Sequence, residues 1–163
     1  LIGALAVSAW GRIRTTQDID LLVLSHQPAR AELIDAFLAR GFQPDTIWME
    51  LNPMAKDVVS RLIHPLHPGI PLDLVFAVDP QSESALARRQ SLQVFGISLW
   101  VCSPEDLILL KLKASRPRDF EDALGIIKNP RLQLDFAYLW SWADRLRLQG
   151  ELHYILQAAG PAG

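Results

Sequence analysis

The chain has 163 residues, half of them apolar, with 16 basic and 18 acidic side chains and a formal net charge of −2. That length suits one compact domain or a small core with an appended lobe, and the near-neutral balance argues against bulk nucleic-acid binding through an overall basic field, leaving only a local patch. A single cysteine, Cys102, excludes an internal disulfide and fits a reducing cytoplasm. No apolar run reaches the roughly 18 residues of a membrane span, and Leu1 to Trp10 lacks the basic start and cleavage site of a signal peptide, so a cytoplasmic protein without membrane contact is expected. Leu1-Ile2-Gly3 reads as the end of a strand feeding a helix, so we expect a segment to precede it.

Ala4 to Trp10 is small and apolar, which predicts a short buried helix stopped at Gly11. A polar turn, Arg14-Thr15-Thr16-Gln17, then runs into a strand from Asp18 to Leu24. Strand side chains alternate faces, so Asp18, Asp20, Leu22 and Leu24 share one face, and Ile19, Leu21 and Val23 the other, with the two carboxylates about 7 Å apart. Like charges at the mouth of a buried strand repel unless a cation lies between them, and hard oxygen ligands suit Mg²⁺ or Mn²⁺. Asp18 and Asp20 therefore read as a metal site, the plainer alternative being aspartates that solvate a loop. Arg14, Thr15 and Thr16 supply a guanidinium and hydroxyls, while Gly3 and Gly11 leave room for backbone approach to an anion, as a metal-bridged phosphate requires.

Pro28 suits a first helical turn, and Leu33, Ile34, Phe37 and Leu38 recur at helical spacing before Gly41. Thr46 to Leu51 and Asp57 to Ile63 each read as strands, with a turn at Asn52-Pro53. His64 to Pro71 is a loop by its prolines and glycine, and its two histidines lack the further ligands a zinc site needs. The loop delivers an apolar strand, Leu72 to Ala77, interrupted by Asp73. An unpartnered carboxylate there would cost several kcal/mol, so something cationic must meet it.

Pro80 to Arg89 reads as a surface helix, Leu92 to Val101 as one or two strands, and Ser103-Pro104-Glu105-Asp106 as a helix start with a capping serine and acids at the positive end. Helical periodicity follows, with apolar groups at Phe120, Ala123, Leu124 and Ile127 and at Phe136, Leu139, Trp140, Ala143 and Leu146. Lys111 lies four residues after Leu107 on the stripe formed with Leu110 and Ala114, so it wants an anion unless its stem snorkels to solvent. Asp119 and Asp122 share a face of the next helix, where acids are also ordinary dipole stabilisers. The chain thus divides near Cys102 into a mixed α/β core, residues 1–102, and a helical C-terminal lobe, residues 103–163, packed on it. The five tryptophans are expected mainly in the core.

These stretches resemble the nucleotidyltransferase superfamily typified by the palm of DNA polymerase beta, and within it the bacterial abortive-infection-type nucleotidyltransferase toxins and their relatives. The resemblance rests on Gly3 to Asp20, with its G-x-x-A…G-R-x-R-T-T-x-D-I-D pattern, on the Asp73 strand, and on Lys111-Leu112-Lys113-Ala114-Ser115-Arg116-Pro117-Arg118-Asp119-Phe120-Glu121-Asp122. It implies an α+β fold: a small mixed sheet flanked by helices, followed by a helical lobe, with a nucleotide between them. By the same resemblance Asp18, Asp20 and Asp73 would hold two Mg²⁺ (or Mn²⁺) ions that clamp an incoming NTP. Asp73 would orient or deprotonate an acceptor hydroxyl, Gly3 with Arg14 and Thr16 would bind phosphates, Lys111 would contact the triphosphate, and Asp119 or Asp122 would position Lys111 or the base. Ala4 departs from the pattern, which usually has a glycine or serine there, and removes a hydroxyl or backbone freedom from the nucleotide site.

The implied reaction transfers a nucleoside monophosphate to a hydroxyl on RNA, such as a tRNA end, or on a protein, with a toxin role and a cognate antitoxin by analogy. Two other readings stand beside it. One is a catalytically silent member of this fold that binds nucleotide or a partner protein. The other is a D-x-D glycosyltransferase holding a sugar nucleotide through one metal, which leaves Asp73 and Lys111 without duties.

Overall fold

The computed structural model describes residues 1–24, 27–55, 57–94 and 96–160. In chain order the elements are α1 (Gly3–Ala9), β1 (Ile19–Leu24), α2 (Gln27–Leu38), β2 (Gln43–Pro44), α3 (Thr46–Leu51), a 3-10 turn (Pro53–Ala55), β3 (Val59–Ile63) and β4 (Leu72–Ala77). After these come α4 (Pro80–Ala87), β5 (Gln90–Val94), β6 (Ile97–Val101), α5 (Pro104–Ala114), α6 (Pro117–Ile127), α7 (Phe136–Leu146) and α8 (Gln149–Ala159). The first four strands form one mixed sheet in the order β1-β4-β3-β2, and β5 and β6 form a separate hairpin. This is the mixed α/β architecture, of α+β type, that the sequence pattern predicts.

β1 runs parallel to β4, and the α2 to β3 segment supplies the long crossover that parallel pairing demands. The register sets Asp20 beside Asp73, and antiparallel pairing sets Arg61 of β3 on the other side of Asp73. Period-two alternation then sorts the residues. Leu72, Leu74, Phe76 and Leu62 bury one face of the sheet, against Leu33, Ile34 and Phe37 of α2. On the opposite face Leu22 and Ala77 join a larger core built from Ala6, Val7 and Trp10, from Leu107, Ile108 and Leu112 of α5, and from the inward residues of α6, α7 and α8. That core runs across residue 102 without a break.

α5 is fixed at its start by a buried polar knot. Ser103 caps the helix by accepting the Asp106 N–H, and Asp106 accepts from Ser103 Oγ at 2.6 Å, Tyr138 Oη at 2.5 Å and Arg88 Nε at 3.1 Å. Burial, with Asp106 beside it, pushes the Tyr138 phenol up to about 12. The knot joins α4, α5 and α7, and so fixes the start of the helix that carries Lys111.

Several expectations need correction. Thr46–Leu51 is helical, because Asp45 caps it by accepting the Trp48 N–H at 3.0 Å and so overrides the strand preference of Thr46, Ile47 and Trp48. Pro80–Ala87 is less superficial than its composition implies, since Gln81, Ser82 and Ala85 are buried. The tryptophans are not mainly core: Trp10 is buried, but Trp100 is 57% and Trp140 38% exposed. Phe136 is likewise exposed, whereas Leu139 and Ala143 of the same stripe are fully buried. The side chains of Leu24 and Pro28, expected on the carboxylate face of β1 and in the first turn of α2, lie outside the described residues. The His64 to Pro71 segment is a loop, with His64 Nδ1 accepting the Leu66 N–H. Among the described residues no helix is long and apolar enough to cross a membrane.

Candidate active site

The sheet places three carboxylates side by side. One oxygen from each of Asp18, Asp20 and Asp73 lies within 4.8 Å of the other two, although Asp73 is more than fifty positions away in sequence. Oxygens ligating one Mg²⁺ sit at most about 4 Å apart, twice a metal–oxygen distance of roughly 2.1 Å, so the cluster fits a divalent ion after a small closure. Thr16 orients one of these carboxylates, its hydroxyl donating to Asp18 Oδ1 at 2.7 Å. Burial, reinforced by the neighbouring Asp18 and Asp73, pushes the Asp20 carboxyl up to about 6.

Gly3 closes the site from behind. Its φ is +68°, and a Cβ added there would overlap Oδ2 of Asp20 and stand 2.6 Å from its Cγ. The backbone lies so close only because no side chain is present. Gly3→Ala is therefore expected to cost about 1–2 kcal/mol from the left-handed backbone alone and to push Asp20 out of the cluster. Thermal melting together with Mn²⁺ titration checks both effects, and a variant that melts and binds like the parent would show that the backbone has room to spare.

Asp73 has the cation its burial demands. Arg61 grips it with a two-pronged fork, Nε to Oδ1 at 2.7 Å and a terminal nitrogen to Oδ2 at 2.6 Å, and that nitrogen is also 3.7 Å from Asp18. The guanidinium lies over the Trp48 ring, 4.6 Å from its centre, and Asp73 in turn holds Arg61 above its ordinary pKa.

Lys111 points inward, as its place on the α5 stripe predicts. It is 7% exposed and pairs with Asp119 at 2.9 Å and Asp122 at 3.1 Å. Asp119 also accepts from Arg116, at 2.5 Å, and these two partners outweigh burial to keep its carboxyl below the usual range. Asp122, wholly buried, binds Arg12 and, at 2.7 Å, Arg14. Arg14, expected to meet phosphate, thus has one guanidinium nitrogen committed to tying the turn before β1 onto α6.

These groups surround a cleft of about 860 Å³ between the sheet and α5. Of the residues expected to form the site, Gly3, Ala4, Arg14, Asp18, Asp20, Asp73, Lys111 and Asp119 line it, while Thr16 and Asp122 stand behind Asp18 and Lys111. Ala4 reaches the wall with only 2% of its surface exposed. Sequence reasoning missed Arg61, Trp48 and Asn52, and gave no role to Arg116 and Arg118 of the Lys111 to Asp122 motif; all five also line the cleft. The demand of Asp73 for a cation was a signal for Arg61, but nothing local named the partner.

The fold and the site define a mixed α/β protein with three converging carboxylates and an inward lysine at one cleft. The chain matches no protein-family model and no curated protein.

Proposed function

We propose that this protein is a metal-dependent nucleotidyltransferase with a polymerase beta-like core, moving an NMP group from an NTP to a hydroxyl on RNA or protein. One observation carries the reading: Asp18, Asp20 and Asp73 converge within 4.8 Å in a cleft that also receives Lys111. The three carboxylates would hold Mg²⁺ or Mn²⁺, two ions by the resemblance of the motifs. Such ions polarise the α-phosphate and neutralise the departing pyrophosphate. Lys111, held by Asp119 and Asp122, presents its ammonium to the phosphates, and Arg116 and Arg118 add positive charge nearby. Trp48 and Asn52 offer a ring face and an amide to a base or acceptor. Asp73 is the carboxylate that would orient the attacking hydroxyl. The narrower role of a cytoplasmic toxin with an antitoxin partner rests on resemblance alone.

Incubation with each α-³²P NTP, Mg²⁺ or Mn²⁺, and either bulk tRNA or cell protein is expected to label one acceptor class from one preferred NTP. No product from any NTP would sink the enzyme. The Arg61 fork, which satisfies both oxygens of Asp73 without an ion, favours the catalytically silent member of this fold as the second reading. NTP binding without transfer is its signature.

A further inference from the structure

The Arg61 fork and a divalent ion want the same oxygens. Both carboxylate oxygens of Asp73 accept from the guanidinium, at 2.7 and 2.6 Å, and one of those nitrogens reaches toward Asp18 at 3.7 Å. An ion bonded to Asp73 would sit a few ångströms from the guanidinium's positive charge as long as the fork stays in place, in a partly buried site where screening is weak. The fork is not buried beyond movement: the Arg61 side chain is 17% exposed, lines the cleft and rests on the face of Trp48. That ring can hold a guanidinium after its carboxylate is gone, because the attraction is to the π face and not to a particular hydrogen-bond partner.

We propose that Arg61 is an exchangeable counter-ion: it neutralises the acid cluster in the metal-free protein, and metal loading turns it off Asp73 into the cleft as an anion-binding group for the triphosphate. The inference rests on the metal-dependent reading above and adds to it an order of events. Ion and guanidinium compete before nucleotide arrives. Afterwards they bind the same polyphosphate, so nucleotide is expected to strengthen metal binding more when Arg61 is present.

Calorimetric titration with Mn²⁺ alone tests the competition. Arg61→Gln, which removes the charge and ends where Arg61 Nε stands, so that its amide nitrogen can keep the hydrogen bond to Asp73 Oδ1, is expected to bind Mn²⁺ at least tenfold more tightly than the parent. Adding a non-hydrolysable NTP is expected to narrow that gap. Equal or weaker Mn²⁺ binding by the variant would overturn the proposal while leaving the metal site standing, since Arg61 would then be holding Asp73 in place for the ion. Binding by the variant alone supports the competition. Absence of binding in both proteins would remove the metal-dependent reading as well.

If the substitution unfolds the chain, the intact protein still answers. With ¹⁵N-labelled arginine, the Nε–H resonance of the forked guanidinium is expected to shift and exchange faster with water as Mg²⁺ is added. A resonance unchanged at a Mg²⁺ concentration that calorimetry shows to be saturating would overturn the proposal.

Discussion

Replacing Asp20 with asparagine is expected to reduce nucleotidyl transfer by about 10²–10³-fold or more, and at the same time to make the metal-free protein more stable. The loss follows from the proposed function, in which Asp20 is one of three carboxylates that would hold the ions. The gain follows from the electrostatics of the carboxylates themselves: burial, and then Asp18 and Asp73, push the Asp20 carboxyl up from 3.8 to about 6. An acid whose pKa is higher folded than unfolded binds its proton more tightly in the native state. Stability therefore falls as pH rises through the window from about 4 to 6, and the full cost, up to about 3 kcal/mol, applies above it. Asparagine carries no such cost. Melting curves in EDTA should coincide near pH 4 and separate between pH 4 and 6, the variant melting higher at pH 7. Equal melting temperatures at pH 7 would show that Asp20 ionises without strain, and unchanged labelling would remove it from the chemistry.

Asp122→Ala is expected to cost about 3–5 kcal/mol, the usual loss when one member of a buried ionic cluster is deleted, or roughly 6–20 °C in melting temperature for a chain of this size. The carboxylate is completely buried and receives Arg12, Arg14 and Lys111. Without it Lys111 keeps Asp119 and Arg12 keeps Glu121, but among the described residues Arg14 keeps no carboxylate. The turn leading into β1 then loses its tie to α6, so weaker Mn²⁺ binding should accompany the loss of stability. Asp122→Asn, which keeps hydrogen-bonding oxygen, should fall between the two. A drop below about 1 kcal/mol would mean that these pairs behave as exposed ones do.

What could be read in advance was whatever obeys a local period. Alternation alone put Asp18 and Asp20 on one face, and helical spacing alone turned Lys111 inward. The pairing of Asp20 with Asp73 was accessible only through a resemblance of motifs, because parallel register is set by a crossover of nearly fifty residues. Arg61 was illegible for the same reason: which residue of β3 stands beside Asp73 depends on antiparallel register, and slipping it by one position would turn Arg61 to the other face. Arg14 invited a phosphate role because its partner Asp122 is 108 positions away. At Thr46–Leu51 the error was local, a capping aspartate one residue earlier being given too little weight against β-branched and aromatic side chains.

The charges lining the cleft nearly cancel, with Asp18, Asp20, Asp73 and Asp119 against Arg14, Arg61, Lys111, Arg116 and Arg118, on a chain that is itself slightly acidic. Such a mouth projects little field beyond a Debye length and cannot draw a polyanion from a distance. If the proposed function holds, a nucleotide triphosphate would reach the metal-free cleft by unguided diffusion, at a rate set by collision that varies little with ionic strength, and a bound ion would be what makes the mouth attractive to it. Selectivity is then decided after arrival, by contacts a few ångströms long.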